Sequence, residues 1–204
     1  MIKVKVKSPV FYGRYVGCYQ KQEAAGFGSR YSSVKDVPQI SVASRGRNYL
    51  VDCEAVTVGN LNFQPGQFVS FQLKLKQYGG SVRPVPCNLA VSDKAHFCEI
   101  NDIDIESTYA GAISSVDGSA SDAHHVYFTS ADGRSVQLRT TLPSGFALRM
   151  TEFDTCLYEL ALTSNNGQTE VYARGLREPG MPKPIYVNSD ADKEAAEDDL
   201  PFIE

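Results

Sequence analysis

Phe11, Tyr12, Tyr15, Tyr19, Phe27, Tyr31 and Tyr49 are interleaved with Arg14, Lys21, Arg30, Lys35, Arg45 and Arg47, and Lys74 and Lys76 follow in the same basic stretch. Cationic side chains hold phosphates, while aromatic faces stack on unpaired bases at about 1–3 kcal/mol per stack. This mixture is what a single-stranded polynucleotide needs, and it is indifferent to sequence because every base has a π face. A reader of duplex DNA would instead carry a helix or ribbon with base-edge contacts, and no helix-turn-helix pattern is visible. Several of the tyrosines equally suit a core or a strand edge, with the hydroxyl left wet. Gly26-Phe27-Gly28 lets a loop close over a strand, but no Lys-Ser pair and no helix start follow it, so it is not a phosphate cradle.

Catalytic arrangements are weaker. His124 and His125 lie near Asp122, yet neighbours on a strand point to opposite faces and do not readily share one ion. Cys87, His96 and Cys98 offer three zinc-type donors without a CxxC knuckle or a matching second pair. Asp102, Asp104 and Glu106 alternate with Ile103 and Ile105, placing three carboxylates on one strand face. Such a face holds a divalent cation in a nuclease, and more often is a charged edge that discourages aggregation. Neither a Gly-x-Ser-x-Gly elbow nor a Walker loop is present. The expectation is a non-enzymatic protein without metal or cofactor.

Charge divides the chain into three. Residues 1–95 carry a balance of +8, residues 96–189 one of −6, and residues 190–204 a further −6, which together give the net −4. A basic half inside an acidic protein is a candidate polyanion site that the overall pI conceals. The last fifteen residues, DADKEAAEDDLPFIE, hold seven acidic groups and an apolar tip of Leu200, Pro201, Phe202 and Ile203. They have too little apolar surface to offset their ordering entropy, so an extended acidic arm is expected. Its acidic residues steer it to basic surfaces, and the Leu-Pro-Phe wedge is what a hydrophobic pocket holds. A plain solubilising tail is the alternative.

The elements that position these groups are nearly all strands. Ile2–Lys7 alternates strictly; further candidates are Gln39–Ala43, Tyr49–Val58, Gln67–Lys76, Cys87–Val91, Thr108–Val116, His125–Ser130, Ser135–Thr140, Thr155–Leu162 and Thr169–Gly175. Asp132-Gly133 and Asn166-Gly167 mark the two best hairpins, His125–Thr140 and Thr155–Gly175. Gln20–Asp36 lacks periodicity and reads as a long loop; Ser144–Glu152 has room for a turn or two of helix. The fold class is all-β, with barrels of the OB type, either one elaborated barrel or two small ones. The expected organisation is a basic β domain over 1–95, an acidic β domain over 96–180 that is a second barrel or an extension of the first, and a disordered tail over 181–204. With 42% hydrophobic residues the chain can build a sizeable core, and no run approaches the ~18 apolar residues of a membrane span. The five scattered cysteines and the absence of a signal-peptide core lead to the expectation of a reducing cytoplasm.

Glu197-Asp198-Asp199-Leu200-Pro201-Phe202 resembles the acidic C-terminal tip of bacterial single-stranded DNA-binding proteins. The resemblance implies an OB-fold body on single-stranded DNA and a tip, Asp198, Asp199, Leu200, Pro201 and Phe202, that recruits replication, recombination and repair proteins. The chain departs from that family in continuing through Ile203 and Glu204, in lacking tryptophan, and in exceeding one barrel in length. A divergent relative of the kind a phage or plasmid encodes, acting in the cytoplasm of a bacterial host, fits these departures. Two other readings follow from the residues: an accessory protein whose tail docks on a polymerase or sliding clamp, and a metal-dependent nuclease.

Overall fold

The computed structural model describes residues 9–23, 33–54, 62–93, 98–111, 124–140 and 155–183. These contain ten strands: β1 (Phe11–Glu23), β2 (Ser33–Ser44), β3 (Arg47–Asp52), β4 (Phe68–Tyr78), β5 (Ser81–Val91), β6 (Asp104–Gly111), β7 (His124–Thr129), β8 (Ser135–Thr140), β9 (Thr155–Asn165) and β10 (Gln168–Arg177). A short 3-10 turn, Ile100–Asp102, precedes β6. Ile2–Lys7, Ser144–Glu152 and the acidic tail lie outside the described residues.

Strand order gives the architecture. The second five strands close into a barrel in the order β6-β7-β8-β10-β9, with β10 parallel to β8 and the other pairs antiparallel. Numbered from one, this is the 1-2-3-5-4 Greek-key circuit of an OB barrel. The first sheet runs β3-β2-β1-β4-β5, the same circuit opened between its third and fifth strands. Those two strands nevertheless lie against one another, so the first unit is a barrel with one seam unlaced. The fold is therefore all-β and of the OB type, with two five-stranded units.

Alternation builds each unit. Along β4, Val69, Phe71, Leu73 and Leu75 are buried while Ser70, Gln72 and Lys74 are half-buried on the other face. Burying a side chain of Leu or Phe size contributes about 1.5–3 kcal/mol before entropy is counted. In β9, Cys156, Tyr158, Leu160 and Leu162 share complete burial with Glu159 and Ala161, as expected of a strand covered on both faces. The hairpin turn Asn166-Gly167 has both residues at positive φ (49° and 72°), the left-handed pair that matches strand twist.

The loop expected over Gln20–Asp36 is shortened at both ends, and residues 24–32 lie outside the described residues. Gln20–Glu23 and Ser33–Asp36 belong to β1 and β2 and pair in register from Gln20↔Asp36 to Glu23↔Ser33. Gln20, Lys21, Val34, Lys35 and Asp36 are all exposed, so this end of the ladder is held by backbone pairing and carries no apolar alternation for sequence to display. β6 also begins earlier than expected, at Asp104.

The two units share one hydrophobic core and are tied by hydrogen bonds. In the β2–β3 turn, the Arg45 amide donates to Asn101 Oδ1 (2.9 Å) and its Nη1 to the Tyr172 hydroxyl of β10 (2.7 Å). Leu162 N–H of β9 donates to Ser44 Oγ (3.2 Å), and Thr169 Oγ1 of β10 to the Leu50 carbonyl of β3 (2.8 Å). On the other flank, Leu75 N–H of β4 donates to Ser130 Oγ (2.9 Å) and Ala131 N–H to the Leu73 carbonyl (3.0 Å).

Candidate nucleic-acid interface

The outer face of the β1–β2 ladder gathers Tyr12, Arg14, Tyr19, Lys21 and Lys35 of the basic and aromatic set. On β2, Ile40 and Val42 point into the core, so Gln39 and Ser41 point out. Arg14 opposes Ser41, Tyr19 opposes Val37, and Lys21 opposes Lys35. Even-numbered Tyr12 and Arg14 thus share a face with odd-numbered Tyr19 and Lys21, a change of parity made by the bulge at Val16-Gly17, where the register shifts between Tyr15 and Gly17. Gly17 sits there at φ 135°, a conformation side chains resist. Without the bulge, strict alternation would send one pair inward.

Local contacts fix these groups. The Arg14 guanidinium lies 4.6 Å from the ring centroid of Phe68, its cross-strand partner on β4. Asp52, at the end of β3, organises the opposite end: it accepts from the Tyr19 hydroxyl (2.9 Å) and Gln39 Nε2 (2.9 Å), and pairs with Lys21 at 3.6 Å. Burial, and then the bond to Asp52, push the Tyr19 phenol up to about 12, so it remains a neutral donor at physiological pH. Val16 (43% exposed) and Leu50 (53%) leave apolar surface on the same barrel exterior.

Other members of the set are placed elsewhere. Phe11 (1% exposed) stacks on Phe71 in the core, and Tyr15 (6%) packs on Phe63, so neither ring can meet a base. Tyr49 opposes buried Val42 and packs inward against the core. Arg45 is spent on the contact between the two units. Arg47 is exposed at the start of β3. Lys74 and Lys76 stand apart from the β1–β2 ladder, on β4, where Glu54 takes both (2.9 and 3.5 Å). The hydrogen bond from Lys74 holds the Glu54 carboxyl below its ordinary value. Phe27, Arg30, Tyr31 and the tip Asp198–Phe202 lie outside the described residues.

Two pairs escaped the sequence reading. Phe68 supports Arg14, and Arg83 lies 4.4 Å from the Tyr78 ring centroid at the β4–β5 hairpin. Phe68 and Arg14 are cross-strand neighbours and Tyr78 and Arg83 flank one hairpin, relations that need the register to be known.

The expected three-carboxylate face does not form as a strand face. Asp102 belongs to the turn, where it accepts from the Glu99 amide, and Asp104 pairs with Arg177 of β10. Among the described residues, no three His, Cys, Asp or Glu side chains converge as metal ligands.

No protein-family model and no curated sequence matches the chain. Among solved structures, it is similar to a deletion mutant of the single-stranded DNA binding protein from Thermus aquaticus, with TM-score 0.44 and 12% identity over 87% of this chain and 96% of that one. It is also similar to a Replication Protein A heterotrimer bound to ssDNA (TM-score 0.30, 7% identity, 100% and 56% covered) and to a murine DNA binding protein bound with ds DNA (0.28, 7%, 82% and 94%). With TM-scores below 0.5, strand order carries the fold assignment.

Proposed function

We propose that this protein binds single-stranded DNA without sequence preference, coats it, and uses its acidic C-terminal segment to recruit replication, recombination or repair proteins. The supporting observation is the parity change at Val16-Gly17, which brings Tyr12, Arg14, Tyr19 and Lys21 to one outer face beside Lys35 of β2. OB barrels take oligonucleotides on the face of their second and third strands, and β2, the second strand of this unit, forms one side of the candidate face. Arg14 and the lysines supply phosphate contacts, and Tyr12 and Tyr19 supply stacking surfaces. The setting in which such a protein acts is a cytoplasm, that of a bacterial host if a phage or plasmid encodes it.

Titration with fluorescent oligo-dT at several salt concentrations tests this reading. Binding should weaken steeply with salt, and Tyr12→Ala or Arg14→Ala should each cost about tenfold in affinity. Wild-type protein that ignores the oligonucleotide at low salt would refute the proposal. Removing residues 190–204 tests the arm. An anionic segment tethered near a DNA-binding face competes with phosphates at high effective concentration, so truncation should hold or raise DNA affinity while abolishing partner capture. Much weaker DNA binding by the truncated chain would contradict that role.

A further inference from the structure

A cleft of about 290 Å³ lies between the two units, away from the β1–β2 face. Its roof is the β4–β5 hairpin of the first unit, from Gln77 to Val82, and its floor is the exterior of β7, β8 and β10. In barrel order, the fourth-to-fifth-strand connection of one OB unit is laid over the second, third and fifth strands of the next, so two nucleic-acid-binding elements of the fold meet here.

His125, Gln137 and Arg139 line the floor and are set by cross-strand register, with Tyr127 beside it. His125 opposes Arg139, and Tyr127 opposes Gln137, whose Nε2 donates to the Tyr127 hydroxyl (3.0 Å). Val126, Phe128 and Leu138 face the opposite way, into the core, which holds the four outward groups in place. Arg139 is exposed and has no acidic partner within ion-pair distance among the described residues, although Glu170 lines the same cleft. Tyr172 closes one wall, its hydroxyl held by Arg45 of the first unit. An unpaired guanidinium, an aromatic wall and amide groups that can both donate and accept are the equipment for one nucleotide: a phosphate on the cation, a base against the ring, and its edge on the amides. A cleft of about 290 Å³ is on the scale of one such unit. Next to the same hairpin, Arg83 stands opposite Lys76 across the β4–β5 ladder.

We infer that this cleft takes a single nucleotide of a bound strand, turned out of the stacked run, as the strand passes from the first unit to the second. The inference rests on the single-stranded DNA reading, but it assigns a second, separate site in the half whose net charge is acidic.

The test uses the full chain with oligo-dT of increasing length and the double variant Arg139→Ala/Gln137→Ala. In wild type, affinity should rise in a step once the oligonucleotide is long enough to reach beyond the β1–β2 face. The variant should lose that step, binding long oligonucleotides about tenfold more weakly and short ones as wild type does. A long oligonucleotide carrying 5-iodouracil should photocross-link to the peptides bearing His125 or Tyr172, and the cross-link should fade in the variant. Unchanged long-oligonucleotide affinity, or cross-links confined to β1 and β2, overturns the inference and leaves the first site standing. Failure of wild type to bind any length removes both. Circular dichroism and thermal melting of the variant establish that a loss arises in a folded protein.

Discussion

Asp52 is the residue on which the candidate face turns. It holds Tyr19, Gln39 and Lys21 in place, yet it sets a carboxylate where phosphates are expected to pass. Its contribution to ordering and its repulsion of a polyanion oppose each other. Because the Lys21 pair is largely exposed, its attraction contributes little to stability, and the repulsion should prevail once DNA is present. Asp52→Asn keeps an acceptor for the tyrosine hydroxyl while removing the charge. It should raise oligo-dT affinity roughly two- to fivefold at low salt, an advantage that disappears as salt screens it. Fluorescence anisotropy across a salt series reads this directly; a fall in affinity would mean that the ordering role dominates.

At the level of elements, β1 carries the candidate site. The hairpins β7–β8 and β9–β10 were plain in the sequence because Asp-Gly and Asn-Gly turns sit between alternating runs, and both stand in register. β1 was not, because its bulge breaks period two at its middle and its far half pairs with β2 beyond the core. The same bulge explains why the candidate site was only partly legible. Residue types located the basic, aromatic segment, but which rings face water depends on parity, and parity depends on a register that composition does not encode. Tyr12 and Tyr19 therefore stay half-exposed on the outer face while Phe11 and Tyr15 are buried in the core. Close strand packing gives this element its own test. A Cβ at Gly13 would approach the Ser41 carbonyl oxygen to 2.7 Å, against backbone that cannot swing aside. Gly13→Ala should cost about 1–3 kcal/mol in urea unfolding and loosen the β1–β2 ladder that presents Arg14.

On the scale of the whole molecule, the two units are joined by buried polar contacts as well as by apolar packing. Ser44 (0% exposed) and Ser130 (2%) each accept a backbone N–H from the other unit, from Leu162 and Leu75 respectively. Replacing either serine with alanine leaves a buried amide without its acceptor, at about 1–3 kcal/mol. Equilibrium denaturation should show the loss, and hydrogen exchange should show it concentrated at Leu162 in Ser44→Ala and at Leu75 in Ser130→Ala. Faster exchange spread evenly over the molecule would argue against so local a role. The unlaced seam of the first unit gives this joining a consequence in time. β5 lies alongside β10, and Thr169 of β10 bonds the Leu50 carbonyl of β3 at the other side of the seam. A ribosome makes the first five strands well before it makes β10. Until residue 177 has emerged, the part of β5 that meets β10 and the Leu50 carbonyl of β3 lack the neighbour that covers them, and exposed strand surface of this kind is where nascent chains pair with one another instead of with themselves. Translation speed and chaperone supply, rather than the stability of the finished fold, should therefore govern how much of this protein a cell recovers in soluble form.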